Sequence, residues 1–400
     1  MISPTQPTVR AVLLCWRDTD HPQGGGSERY LERVGAELVR RGAEVVFLTA
    51  AYDGAAPAEM RGGMRVLRAG GRFSVYPRAL ATLLAARVGW GRLAGFTPDV
   101  VVDTQNGVPF FATLVSPAPT VLLVHHCHRA QWPVAGRLLG RLGWFLESQV
   151  SPRVHRGNRY VTVSGPSATD LTSLGVDAER ITVIRNGIDP VPKMAADPDL
   201  ASASTARLCV LSRLVPHKQV EDALTVVAQL RETCPDIHLD IIGGGWWSDE
   251  LHRRAIELGV TGQVTFHGHV NEVCKHRLLA RADVHLMPSR KEGWGLAVIE
   301  AAQHRVPTVG YRSSAGLAES IDHGETGILV DGVDELVSAT RKLVDNPDEA
   351  ARLGDNARRK AAGYSWSATA DGFIDVFDAV TTTPRRARRP WRAPRPRVLQ

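Results

Sequence analysis

Nowhere in these 400 residues do the roughly 18 apolar side chains needed to cross a bilayer run without interruption, so no membrane span is expected. The opening MISPTQPTVR has no apolar core of a secretory leader, and a cytoplasmic site is the expectation. Cysteine is scarce. Cys15, Cys127, Cys209, Cys234 and Cys274 are odd in number, scattered, and form no CxxC pair. That spacing argues against a disulfide framework or a zinc site and suits reduced thiols. Acid is missing from the tail PRRARRPWRAPRPRVLQ, residues 384–400, which carries seven arginines; without them the net charge of +6 falls to −1. The body is near neutral and repeats no basic pattern, so no nucleic-acid partner is expected. The tail, 383–400, is too polar and charged to build a core. It reads either as a solvated appendage or as a contact with anionic lipid at the inner face of the membrane.

What is present is a two-core chain. Four hundred residues at 44% hydrophobic and 22% charged suit two soluble domains. From Val9 onward, strand-like runs alternate with amphipathic helical stretches: VRAVLLCW, then SERYLERVGAELVRRG with Leu31, Val34, Leu38 and Val39 on one face, then AEVVFLTA. DVVVDT, PTVLLVHH, RYVTVSG and RITVIRNG continue the rhythm. The runs read as strands of a parallel sheet, apolar on both sides. After Ile188 the texture turns to DPVPKMAADPDLASASTA, a linker or domain edge. A second α/β series follows from RLCVLSRL to GILV, and the stretch WSATADGFIDVFDAV comes last. YPRALATLLAARVGWGRLAGF reads as a helix with Leu80, Leu83, Leu84 and Val88 on a core stripe, or else as a membrane-surface helix.

Candidate chemistry gathers at strand ends. Gly24–Gly26 open the first helix, where backbone N–H groups and a helix start can approach an oxyanion; a plain turn is the alternative. The stretch is not GxGxxG, and no ribose-binding acid is clearly placed after the next strand, which counts against NAD. In SRLVPHK, Arg213 and Lys218 bracket a turn and can neutralise a diphosphate, although two surface cations would look the same. Gly243, Gly244 and Gly245 end a later strand, as a turn or as backbone set against a nucleotide. In EGWGLAVIE, Glu292 sits in a loop and Glu300 about one and a half turns into the helix that follows. Between them the N–H groups of Gly293, Trp294, Gly295 and Leu296 are unpaired donors at a helix start. The Asp18-Thr19-Asp20 string spells a metal-binding DxD but is expected to be a solvated loop. His267, His269 and His276 lack the acid or thiol that would complete a metal set.

EGWGLAVIE resembles the E-x7-E motif of the retaining glycosyltransferases of family 4. SRLVPHK resembles that family's G-R-L-x-x-x-K segment, with Ser212 where glycine is common. GGGSE resembles its glycine loop, VTVSGPSATDL and VIRNGID its interdomain segments, and PTVGYRSSAGLAESI with GETGILV its donor-side close. The likeness runs in order from about residue 9 to 380. It implies the GT-B architecture, two Rossmann-like α/β domains facing across a cleft. Residues 1–188 would form the acceptor side and 189–364 the nucleotide-sugar side, with a last helix, about 365–382, crossing back to the first domain.

The resemblance also implies roles. Arg213 and Lys218 would hold the donor diphosphate, Glu292 the transferred sugar, and Glu300 the ribose hydroxyls. Gly25 and Gly26 would approach phosphate or acceptor. His125 falls where the family places a histidine beside the reacting carbon, with His126 next to it. Gln105, Asn106, His126 and His128 are assigned to the acceptor side. The implied reaction moves a hexose from a UDP- or GDP-sugar to a hydroxyl of an envelope lipid or glycan, or of a small natural product. It would keep the anomeric configuration and need no metal or further cofactor. A UDP-sugar 2-epimerase and a non-catalytic nucleotide-sugar binder are the rivals.

Overall fold

A computed structural model of the chain describes residues 9–129, 132, 136–193 and 206–382. Most of the expected linker and all of the arginine tail lie outside those residues. Among the described residues fourteen strands make two sheets. The first holds β1 (Arg10–Leu14), β2 (Glu44–Thr49), β3 (Ala58–Arg61), β4 (Met64–Arg68), β5 (Val100–Thr104), β6 (Thr120–Val124), β7 (Arg159–Thr162) and β8 (Ile181–Val183), in the order β3-β4-β2-β1-β5-β6-β7-β8. The second holds β9 (Arg207–Leu211), β10 (His238–Ile242), β11 (Val264–Gly268), β12 (Val284–Met287), β13 (Thr308–Tyr311) and β14 (Gly327–Val330), in the order β11-β10-β9-β12-β13-β14. All pairs are parallel except the edge hairpin β3–β4.

In the first half the helices are α1 (Gly26–Arg40), α2 (Val75–Arg87), α3 (Arg137–Phe145), α4 (Ser151–Val154) and α5 (Gly165–Ser173). The second half has α6 (Val220–Leu230), α7 (Ser248–Glu257), α8 (Glu272–Ala280), α9 (Leu296–Ala302), α10 (Ala315–Ser320), α11 (Val333–Asp345), α12 (Pro347–Ala361) and α13 (Trp366–Thr382). Every residue of β5 and β6 is buried. β-Branched side chains fit such a doubly covered pleat, and parallel connection through helices covers both faces. α2 departs from its expected stripe: Val75, Ala79 and Leu83 are buried, whereas Leu84 and Val88 are exposed. The helix is set by its i, i+4, i+8 ridge, not by its richest run of leucines.

α13 returns to the first domain. Trp366 and Phe373 lie against Tyr30 of α1, with ring centroids 6.0 and 5.9 Å away. Asp189 fastens this crossing, accepting from Trp366 Nε1 at 2.8 Å and from Arg29 Nε at 3.0 Å. One apolar cluster runs from Leu13, Tyr30 and Val102 through Phe373 and Phe377 to Trp294, Val298 and Leu317. The two halves therefore meet through packed side chains as well as through charge.

Candidate active site

An open parallel sheet leaves a crevice at the carboxyl ends of its strands where the strand order reverses. In the second sheet this point lies between β9 and β12, since β10 continues on the far side of β9. The loops after those strands are SRLVPHK and SRKEG. Arg290 N–H donates to the His217 carbonyl at 2.9 Å, and Lys218 pairs with Glu292, each side chain only 11% exposed. Arg213 stands exposed on the same loop, with no partner for its guanidinium among the described residues. Burial and the charge of Lys218 push His217 down to about 4, so it is neutral at pH 7. The backbone amides of Gly293, Trp294, Gly295 and Leu296 find no protein acceptor among the described residues. The Trp294 ring is buried against Tyr364, 4.7 Å between centroids, which leaves only its backbone toward the loop.

The glycine turn after β10 braces this site. Leu214 N–H donates to the Gly244 carbonyl at 3.0 Å. A Cβ at Gly243 or Gly245 would overlap the carbonyl oxygen of Ser212 or Leu214. These two glycines are required by close backbone approach beneath Arg213, and Gly244 alone has an open side.

The first sheet reverses order between β1 and β5, and its loops face the same seam. Gly25 caps α1, but its N–H is already taken by Glu28 Oε2 at 2.9 Å. The glycine pair therefore offers close backbone approach at the helix start, with the Gly25 amide itself engaged by Glu28. Glu28, fully buried, also holds Arg17 Nε at 2.7 Å and Asn106 Nδ2 at 3.3 Å. A Cβ on Gly26 would lie 3.0 Å from Leu296 Cδ1, so the two predicted helix starts touch across the domains. Gly293 faces the His125 carbonyl and His126 Nδ1.

The histidines divide. His125 is buried, its ring edge-on to Tyr30 at 5.1 Å and its Nε2 without a partner among the described residues. Burial, aided by His128, pushes it down to about 3, so it stays uncharged at neutral pH. His126 stacks on His128 with centroids 4.3 Å apart. His128 is held in turn by buried Glu147, which accepts from its N–H at 2.9 Å and lies 3.2 Å from its Nδ1. Gln105 is buried with its amide oxygen taken by Ser151 Oγ at 2.6 Å. Through that bond it braces the wall on the acceptor side.

An ion chain unread in the sequence crosses the seam. Glu300 Oε1 accepts from Lys275 Nζ at 2.7 Å, and the same ammonium reaches Glu272 at 2.8 Å. Arg29 of α1 lies 3.1 Å from Glu272 and 2.8 Å from Asp189. Burial opposes ionisation of Glu272, but its bonds to Arg29 and Lys275 hold it down at about 2. Lys275 itself is buried. The DxD string is likewise spoken for: Asp18 is fully buried and pairs with Arg68 at 2.6 Å, and Asp20 pairs with Arg61. The string lies in a loop as expected, with Asp20 exposed, but Asp18 is buried where a solvated side chain was expected. His267 bonds Asp240 at 2.6 Å and His276 bonds His304 at 2.8 Å, in separate places.

Two doubly wound α/β domains, joined by a returning helix and meeting at their strand ends, define the GT-B class of glycosyltransferases. The sequence model of the family described as Glycosyltransferase Family 4 matches residues 24–191, and that of Glycosyl transferases group 1 matches 199–360. The chain is 30% identical to glycogen synthase of Mycobacterium tuberculosis over 98% of both chains. It is also 30% identical to the GDP-mannose-dependent alpha-(1-6)-phosphatidylinositol monomannoside mannosyltransferase of Mycolicibacterium smegmatis, over 86% of this chain and 91% of that one. Its fold matches the structure of Anabaena Alr3699/HepE in complex with UDP-glucose, with a TM-score of 0.72 at 18% identity over 93% and 100% of the two chains. The chain belongs to glycosyltransferase family 4 and is a glycosyltransferase.

Proposed function

We propose that this enzyme transfers a hexose from a nucleoside diphosphate sugar, UDP or GDP based, to an acceptor hydroxyl with retention and without a metal ion. The observation that carries the reading is the unpartnered Arg213 beside the Lys218–Glu292 pair and the open amides of Gly293–Leu296. Cleavage of the bond from the anomeric carbon to phosphate oxygen places new negative charge on the leaving diphosphate. Donors already fixed toward that charge are the largest catalytic contribution available to a protein. Arg213 and Lys218 bind the diphosphate, and Glu292, freed in part from Lys218, takes hydroxyls of the transferred sugar. The acceptor hydroxyl adds to the same face that the phosphate leaves, and the departing phosphate oxygen takes its proton. Neutral His125 and its neighbour His126 line the wall opposite and position sugar and acceptor. No role for Asp18 or Asp20 in holding a metal is needed, because both carboxylates serve internal arginines. The curated relatives and the UDP-glucose complex support a nucleotide-sugar donor.

The test is release of nucleoside diphosphate from a panel of UDP- and GDP-sugars, with EDTA present, with and without lipid, glycan and small-molecule hydroxyl acceptors. Acceptor-dependent release that survives EDTA is expected, with an α-linked product from an α-linked donor. Conversion of a UDP-sugar without any acceptor would instead identify an epimerase. Donor binding with no turnover would identify a sugar-nucleotide binder.

Glu300 is assigned to the ribose hydroxyls, and Lys275 fixes its carboxylate. Lys275→Met is expected to raise the donor KM about tenfold, equivalent to about 1.4 kcal/mol of binding, with kcat changed much less. It should also shrink the preference for ribose over 2′-deoxyribose donors. Steady-state kinetics on the two donors measure both quantities; an unaltered ribose preference would remove Lys275 from the donor site.

A further inference from the structure

α3 is an amphipathic helix packed with its small residues inward. Gly140 and Gly143 are its buried residues, and Gly143 lies so close to the Trp132 ring that a Cβ there would overlap it. Leu138, Leu139, Leu142 and Phe145 point outward with exposures of 83, 59, 53 and 55%. Successive residues of a helix turn by about 100°, so these four share one side of the cylinder, opposite the glycines. Four large apolar side chains together on one short exposed helix are unusual for a soluble surface and mark a contact site. The helix has no acid; its charges are the exposed Arg137 and Arg141. Neither arginine has a partner among the described residues. Leucine and phenylalanine flanked by arginine is the chemistry of a helix lying in a lipid interface, where apolar groups enter the acyl boundary and guanidinium groups meet phosphate.

The same helix is wired to the acceptor side of the cleft. Trp132, on which Gly143 rests, donates through Nε1 to Glu147 at 2.5 Å. Glu147 holds His128, His128 stacks on His126, and His126 faces Gly293.

We propose that α3 is a membrane-contact helix that seats this face on an anionic phospholipid surface, so that an acceptor held in the bilayer enters the cleft past His128 and His126. The proposal rests on the transferase reading for its acceptor, but the surface contact is tested without turnover. The full chain is sedimented with large vesicles of phosphatidylglycerol and phosphatidylcholine, or of phosphatidylcholine alone, in the absence of nucleotide and sugar. Binding to the anionic vesicles is expected, and the triple variant Leu138→Glu, Leu142→Glu, Phe145→Glu is expected to weaken it at least about tenfold. All three side chains are solvent-exposed, so the variant should melt as the parent does. Equal vesicle binding by parent and variant would overturn the proposal, leaving the arginine tail as the sole contact. No binding by the parent would overturn it as well. So would light scattering that finds a dimer which the variant splits, because the face would then join two copies of the chain. Failure of donor turnover in the separate nucleotide assay would count against the transferase reading and leave the vesicle result standing.

Discussion

Lys218→Ala is expected to lower kcat by about 10²–10³-fold at saturating donor, the loss typical of removing one fixed donor from a developing oxyanion. The reason lies in the two states of the ammonium. Without donor it is paired with Glu292, both side chains nearly enclosed. With donor bound, the proposed reaction turns it to the diphosphate, whose negative charge grows as the glycosidic bond breaks. The same substitution strands the Glu292 carboxylate. Breaking an enclosed pair from one side costs about 3–5 kcal/mol when burial is complete, and the cleft position makes this an upper bound. The melting temperature should therefore fall as well. Adding Glu292→Gln to Lys218→Ala removes the stranded charge and should recover most of that stability while kcat stays low. Turnover and melting curves on the two single variants and the double variant separate the roles. Near-parental turnover in Lys218→Ala would take this lysine out of the transfer step.

Gly316→Ala is expected to cost about 10²-fold in kcat/KM although residue 316 carries no chemistry. Gly316 lies in α10, and its missing side chain is what lets that helix lie directly on the loop of Glu292. A Cβ there would overlap the Glu292 carbonyl oxygen and come within 2.9 Å of the Gly293 carbonyl carbon. Both neighbours are backbone, so the loop itself must move. Glu292 and the amides beyond it would move with it, and misplacement of reacting groups by about 1 Å is enough for a loss of that size. Stability should fall modestly, because the loop can shift toward the cleft. The comparison that checks this is kcat/KM against the melting curve of the same variant. Full activity would mean that the loop adopts its working position without support from α10.

Much of the fold was legible in local pattern. The apolar runs from VRAVLLCW to GILV correspond to strands of two parallel sheets because β-branched residues buried on both faces leave that signature without any long-range information. The edge hairpin β3–β4 was not read. In its strands Glu59, Arg61, Arg65 and Arg68 break up the five apolar residues into short pieces, although Gly62 and Gly63, at φ 54° and 78°, spell a tight hairpin turn. The leucines of α3 do not face a core, so its pattern does not stand out along the chain. A lone acid in the run LGWFLESQV was the available sign that Glu147 needs buried partners. Asp18 lies in a loop as its surroundings suggest but is buried and not solvated, because nothing in its neighbourhood names Arg68 as its partner.

Order along the chain by itself determined two α/β halves and the loops at their strand ends, including SRLVPHK and EGWGLAVIE, since periodicity and glycine punctuation are properties of neighbouring residues. Only the tertiary structure decided which charges meet. Lys218 with Glu292, Lys275 with Glu300, and Arg29 with Glu272 join residues 74, 25 and 243 positions apart. Coulombic attraction depends on distance through space and on the burial around each pair, and neither is set until the sheets have closed on one another.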